Sequence, residues 1–182
     1  MIKTENKMIF EEKTVESNTV FTGAIFDIHK DTAQIPNGEL KNREVVIHSG
    51  GVTIAAEHDG KIILVKQFRY GAQQIMLELP AGKLDHGNED VLSAAKRELE
   101  EETGYTAKKW TSLGFIYTTP AICSEKLYLF FAQDLTSGTP HPDEGEFVEY
   151  LELPKEDVFK MIKDGEIFDA KTICALTRAY KL

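Results

Sequence analysis

The 182-residue chain is short of cysteine and of positive charge, and each shortage narrows what it can be. Its two cysteines, Cys123 and Cys174, have no metal-binding spacing and offer no disulfide framework. Both read as buried bystanders in a reducing compartment. No stretch approaches the roughly 18 consecutive apolar residues that a membrane span needs. The opening MIKTENKMIFEEK lacks the apolar segment of a secretory signal, so the expected location is the cytoplasm. Lys and Arg number 21 against 30 Asp and Glu, a formal charge of −9, which argues against a nucleic-acid backbone as partner. Repeats and low-complexity linkers are missing as well. With 42% hydrophobic and 28% charged residues, the composition is that of one globular domain with a small N-terminal extension.

What is present begins with strand signals. Phe21–His29 and Thr32–Ile35 read as strands, and Pro36-Asn37-Gly38 is a turn leading into Arg43–His48. Val52–Glu57 and Lys61–Phe68 flank Asp59-Gly60, a two-residue hairpin signal. Gln74–Leu79 is an apolar run stopped by Pro80-Ala81-Gly82, read as a strand-ending turn that exposes carbonyls. Trp110–Thr118, Leu127–Asp134 and Phe147–Leu153 are strand-like, Lys155–Lys163 reads as a helix ended by Gly165, and Asp169–Tyr180 as a last amphipathic helix. The sum is a mixed sheet packed between helices.

The densest information lies between Gly82 and Tyr105, GKLDHGNEDVLSAAKRELEEETGY. Val91, Leu92, Ala94, Ala95 and Leu99 predict a helix over Glu89–Glu102. Glu98, Glu101 and Glu102 stand at i, i+3 and i+4, so their side chains share a face. Like charges at that spacing cost roughly 0.2–0.5 kcal/mol per pair. An acidic run is most often a solvated face. Here Gly104 follows as the expected left-handed C′ residue, which puts the acids at the negative end of the helix dipole. Acids placed where they are least stable alone favour a site. Arg97 can reach Glu101 at i+4 and hold it. Carboxylate oxygens suit hard divalent ions, and Mg²⁺ bridges readily to phosphates. Glu98 and Glu102 are the first-choice ligands, because i, i+4 spacing lets both reach one ion, with Glu101 completing the cluster.

Arg97-Glu98-Leu99, Glu101-Glu102 and Gly104-Tyr105, with Glu89 ahead of Arg97 by seven intervening residues, resemble the Nudix box. One departure is visible: Gly82 precedes Glu89 by six intervening residues rather than five, an insertion in the loop DHGN. The insertion leaves open whether Glu89 or that loop supplies the outer acid contact. Beyond the box, Arg43-Glu44-Val45-Val46, Val65–Tyr70, Glu78–Lys83, Pro120, Gly145–Glu149 and Gly165–Thr172 resemble the ADP-ribose pyrophosphatase subfamily, over roughly residues 20 to 180.

The resemblance implies an α/β (α+β) fold, a Nudix-like α/β/α sandwich with a mixed sheet, preceded by a small N-terminal antiparallel β-hairpin region. It implies hydrolysis of ADP-ribose to AMP and ribose 5-phosphate with Mg²⁺, or Mn²⁺ as substitute, and a metal contact from the backbone carbonyl of Ala81. It also implies a glutamate base from a distant loop, here Gly138–Glu146. Glu146 fits best and Glu144 is second, the alternative being solvated loop acids; His141 reads as a bystander. Arg69 is expected on the diphosphate or terminal ribose, since its planar fork suits phosphate oxygens. Arg43 is second, with Glu44 accepting from ribose hydroxyls or the adenine amine, although a surface ion pair is equally open for Arg43. Phe21, Phe26 and Tyr70 can stack on adenine, but core packing is the better expectation for each. Residues 1–48 are expected to form an N-terminal dimerisation region, whose hairpin at about residues 18 to 48 exchanges between subunits of a homodimer as the resemblance implies or folds back on its own domain, and 49–182 to form the hydrolase domain. Another nucleoside diphosphate sugar, GDP-mannose or an ADP-hexose, stays open as substrate. A non-catalytic nucleotide-sugar sensor is the further alternative, disfavoured because Glu98, Glu101 and Glu102 are all kept.

Overall fold

The computed structural model describes residues 10–84, 89–143 and 145–181, and the chain divides into two compact units. The first is Met1–His48 with Thr119–Glu125. Its three strands, β1 (Lys13–Thr22), β2 (Phe26–Gln34) and β3 (Leu40–His48), form an antiparallel sheet in that order. Thr119–Glu125 joins the β3 edge: Val46 N donates to Ile122 O at 2.8 Å, Ser124 N to Val46 O at 2.9 Å, and His48 N to Ser124 Oγ at 2.9 Å. The expected strand Phe21–His29 is in fact broken at Gly23, whose N–H donates to Phe26 O at 3.0 Å. A Cβ at Gly23 would lie 2.9 Å from that same oxygen, so the turn needs glycine. Of β1 only Phe21 and Thr22 fell within an expected strand, because all ten of its residues are exposed.

The second unit is Ser49–Thr118 with Lys126–Leu182. It contains β4 (Gly51–His58), β5 (Lys61–Arg69), β6 (Gln74–Glu78), β7 (Ala81–Lys83), α1 (Val91–Thr103), β8 (Thr106–Tyr117), β9 (Lys126–Thr136), β10 (Glu149–Pro154), α2 (Lys155–Asp164) and α3 (Ala170–Tyr180). The strands make one seven-stranded sheet ordered β10-β5-β4-β9-β8, with β6 also on β5 and β7 on β4. The β4–β9 pair is parallel and the others antiparallel, so the sheet is mixed. The hairpin at Asp59-Gly60 has φ of 49° and 76°, positive at both central positions as a type I′ turn requires.

Boundaries moved where local chemistry outweighed pattern. α1 starts at Val91, since Asp90 caps it by accepting from Ser93 N at 2.9 Å. β8 begins at Thr106 and β10 at Glu149, earlier and later than expected. Pro80-Ala81-Gly82 does not end in a free turn. Ala81 and Gly82 pair with Thr53 and Val52 in β7, and the Pro80 carbonyl is taken by Ile54 N at 2.9 Å.

Side chains alternate between two cores, as the period of a strand dictates. Val52, Ile54, Ala56 and Ile63 pack against Ala94, Ala95 and Leu99 of α1. Ala55, Ile62 and Leu64 pack on the other face with Val158, Ala175 and Leu176 of α2 and α3. Burying a side chain such as Leu99 contributes roughly 1.5–3 kcal/mol. This sandwiching leaves the C-terminal turn of α1 beside β7 as the place where charge gathers. Cys123 and Cys174 are half-buried rather than buried.

Candidate active site

Gly104 ends α1 at φ 73°, and its N–H closes on Glu100 O at 2.7 Å. Glu102 is 5% exposed, with Oε2 accepting from Ala81 N at 3.0 Å. Glu98 lies against Gly82 so closely that a Cβ there would stand 2.0 Å from its carboxyl group. The first glycine of the box thus makes room for a carboxylate as well as starting a loop. Arg97 donates to Glu98 and Glu101 through Nη1 at 2.9 Å each, and to Glu89 through Nε at 3.2 Å and Nη2 at 3.3 Å. The expected i+4 pair with Glu101 is present. Glu89 joins the same guanidinium, while the inserted loop 85–88 lies outside the described residues.

The electrostatics are those of acids short of countercharge. Burial pushes the Glu98 carboxyl up to about 7, against the pull of Arg97, and Glu101 and Glu146 push it the same way. Burial likewise pushes Glu102 up to about 8; the Ala81 N–H and Arg69 oppose this, and Glu98 and Glu146 add to it. Burial alone would lower Arg97, yet the hydrogen bonds and charges of its acid partners hold it well above its ordinary value. Both Glu98 and Glu102 feel Glu146, so the Glu146 charge adds to the same field although the side chain is exposed.

The loop that carries Glu146 is fastened to the helix at its start. His141 N donates to Glu101 O at 2.9 Å. Gly104 meets the Gly138–Pro140 backbone so closely that a Cβ would fall 2.7 Å from Pro140 N. Further along, Glu146 N donates to Asp143 O at 3.0 Å, and Glu144 lies outside the described residues. Tyr105, the next box position, donates its hydroxyl to Glu152 Oε1 at 2.5 Å and ties the helix end to β10.

Arg69, expected on substrate, is gripped by Glu78: Nε to Oε1 at 2.9 Å and Nη2 to Oε2 at 2.6 Å. In the sequence Glu78 figures only within the motif Glu78–Lys83, without a role. Its local signal was a lone acid in the apolar run Ile75–Leu79. Arg43 and Glu44 belong to the N-terminal unit, where Arg43 pairs with Glu12 at 2.8 and 2.6 Å and Glu44 is exposed. Phe21, Phe26 and Tyr70 are exposed rather than in a core, because the strands and turn that carry them have no layer over those positions.

Among the described residues, no three His, Cys, Asp or Glu side chains stand close enough together to hold a metal ion as they are. The donor set nevertheless fits a hard divalent cation. A half-buried and a buried carboxylate with raised proton affinity, a glycine cradle and a third acid in the same field lack the positive charge that would let all of them ionise.

Fold and site together define an α/β/α sandwich with a carboxylate-bearing helix end suited to divalent-metal chemistry. Residues 48–176 match the NUDIX domain, and the chain belongs to the Nudix family. It is 43% identical over 169 residues to an ADP-ribose pyrophosphatase of Bacillus subtilis (strain 168), covering 91% of each chain. It is 37% identical over 171 residues to a methanol dehydrogenase activator of Bacillus methanolicus, covering 92% of each. A solved ADP compounds hydrolase superposes with a TM-score of 0.84 over 97% of this chain and 96% of that one, at 24% identity, a likeness of fold. No helix among the described residues is long and apolar enough to cross a membrane.

Proposed function

We propose that this chain hydrolyses the diphosphate of ADP-ribose, with water, to AMP and ribose 5-phosphate. It works with Mg²⁺, or Mn²⁺ in its place, as a homodimer in the cytoplasm. The observation that carries the chemistry is the pair of carboxylates, half-buried Glu98 and buried Glu102, with raised proton affinity at the end of the box helix. The substrate is supported by the 43% identity to an ADP-ribose pyrophosphatase over 91% of both chains.

A divalent ion held by Glu98, Glu101, Glu102 and the Ala81 carbonyl would neutralise phosphate charge and make water a better nucleophile. The rest of the work falls to side chains. Arg97 donates to both Glu98 and Glu101, so the two carboxylates would be oriented for an ion without rearrangement of the helix. Arg69 binds phosphate oxygens through the part of its fork that Glu78 leaves free. Glu146 accepts the proton of the attacking water. The water oxygen bonds to one phosphorus as the bond from that phosphorus to the bridging oxygen breaks. Two phosphate monoesters leave. Arg43 and Glu44 recognise the adenosine end, presented by the N-terminal unit of the partner chain.

The test is AMP release from ADP-ribose with Mg²⁺ present or chelated, beside GDP-mannose and ADP-glucose. Metal-dependent turnover greatest on ADP-ribose is expected. Preference for another sugar nucleotide would keep the chemistry and discard the substrate. Binding without turnover on any of them would leave a sensor. Light scattering should give twice the 20.5 kDa chain mass, and a mass of one chain would remove the composite site.

A further inference from the structure

Glu78 is the least exposed charged side chain among the described residues, at 1%, and the reaction above asks nothing of it directly. It ends β6, opposite Val65. Oε1 accepts from Arg69; Oε2 accepts from Arg69 at 2.6 Å and from Lys171 Nζ at 2.5 Å. One buried carboxylate therefore serves two cations. Lys171 lies in the first turn of α3, its Nζ also 3.0 Å from Oδ1 of the capping Asp169. The other Asp169 oxygen accepts from Thr172 N at 3.0 Å and Oγ1 at 2.6 Å, and Thr172 Oγ1 accepts from Leu79 N at 2.8 Å. The start of α3 is thereby fastened to the two residues that precede Pro80-Ala81.

The two cations are not equivalent. The Arg69 side chain is 39% exposed and that of Lys171 13%, so the arginine is the outer member and the lysine the inner one. Glu78 takes Nε and Nη2 of Arg69 and leaves Nη1, the remaining arm of the fork, for another acceptor. A buried carboxylate with a single cation would hold that cation tightly and cancel its charge, since an unpaired buried charge is strongly unfavourable. With Lys171 behind it, Glu78 stays compensated while Arg69 turns its charge outward. The Arg69 charge already reaches Glu102, which places the arginine in the field of the site.

We propose that Lys171 is a positioning residue for the substrate diphosphate: by sharing Glu78 it presents Arg69 with Nη1 and its positive charge available to a phosphate oxygen. The inference rests on the assignment of Arg69 to substrate in the proposed function.

The test compares kcat and KM for ADP-ribose, at saturating Mg²⁺, in Lys171→Met, Lys171→Arg, Arg69→Ala and the double variant Arg69→Ala with Lys171→Met, alongside thermal unfolding of each. Lys171→Met should raise KM about tenfold with kcat changed less than about twofold, the pattern of lost uniform binding. Lys171→Arg, which keeps the cation, should return KM to within about threefold of the starting value. The double variant should bind no worse than Arg69→Ala alone, because the lysine acts through the arginine. A lower melting midpoint with KM unchanged in Lys171→Met would make the lysine merely structural and overturn the proposal, as would additive effects in the double variant. Should Lys171→Met not fold, Lys171→Gln keeps a hydrogen-bond donor toward Glu78 while removing the positive charge. A KM raised about threefold there supports the proposal by the same uniform-binding criterion, and an unchanged KM overturns it. Unchanged KM in Arg69→Ala would remove Arg69 and this proposal together. Metal-dependent AMP release by the unsubstituted protein would still stand, so the two failures are separable.

Discussion

In the unit that carries the box helix, Ile54, Ile62, Ile63, Leu64 and Val65 are fully buried; in the N-terminal unit Ala33 is the one buried apolar side chain among the described residues, and all of β1 is exposed. Val15, Val20, Phe21, Ile25 and Leu40 of that smaller unit are all more than half exposed. A three-stranded sheet without a covered apolar face gains little of the burial that makes such sheets stable. The difference separates two kinds of sequence constraint. In the larger unit, residue identity is set by packing and by the charge of the site. In the smaller one it is set by main-chain pairing and by whatever comes to cover the exposed positions, which the proposed homodimer would supply.

The comparison can be broken by substitutions that touch one constraint at a time. Glu102→Gln should lower kcat about a thousandfold, the scale of losing a charged group that acts on the transition state. Its fold should persist, because a neutral amide suits a buried position better than a carboxylate short of countercharge. AMP release near the unsubstituted rate would take Glu102 out of the site. Leu99→Ala should cost about 2–5 kcal/mol in denaturant unfolding, against less than about 0.5 kcal/mol for Val20→Ala, an exposed site. Equal costs would mean that the small sheet is covered as fully as the core. Glu146→Gln should reduce kcat about a hundredfold with little change in KM. An unchanged kcat would pass the base role to Glu144 or leave it to the metal alone.

A further expectation concerns pH. Glu98 and Glu102 rise on folding from the ordinary 4.5 to about 7 and about 8. A carboxyl raised on folding binds its proton more tightly in the native state. Its contribution to stability is therefore full below the unfolded value and lost as pH climbs through the folded one. In chelator, the melting midpoint should fall as pH rises from about 4.5 through 8, and added Mg²⁺ should reduce the fall. A flat profile in chelator would show that the acids are not short of countercharge.

Much of the larger unit was legible in its residues. The box, the Asp59-Gly60 hairpin and both C-terminal helices were readable because periodicity, caps and turn glycines all pointed the same way. β1 was not, since KTVESNTVFT has no buried face to impose an alternation. The break at Gly23 was hidden by the apolar residues on either side of it, Phe21 and Phe26, which read as one strand. Within the site, the acids of α1 could be placed from spacing alone, because a helix converts spacing into direction. The Arg69–Glu78–Lys171 link could not. Its members come from β5, β6 and α3, and nothing local marks residues that meet only through the sheet.

Cutting the chain after His48 would not give two clean pieces. The strip Thr119–Glu125 would stay with the longer fragment, while its partners, the Val46 N–H and C=O and the His48 N–H, would leave with the shorter one. One severed peptide bond would thus strand donors and acceptors on both products. Any dissection, fusion or exchange of the first 48 residues has to bring a seven-residue passenger from the middle of the gene, because the smaller unit is written in two places.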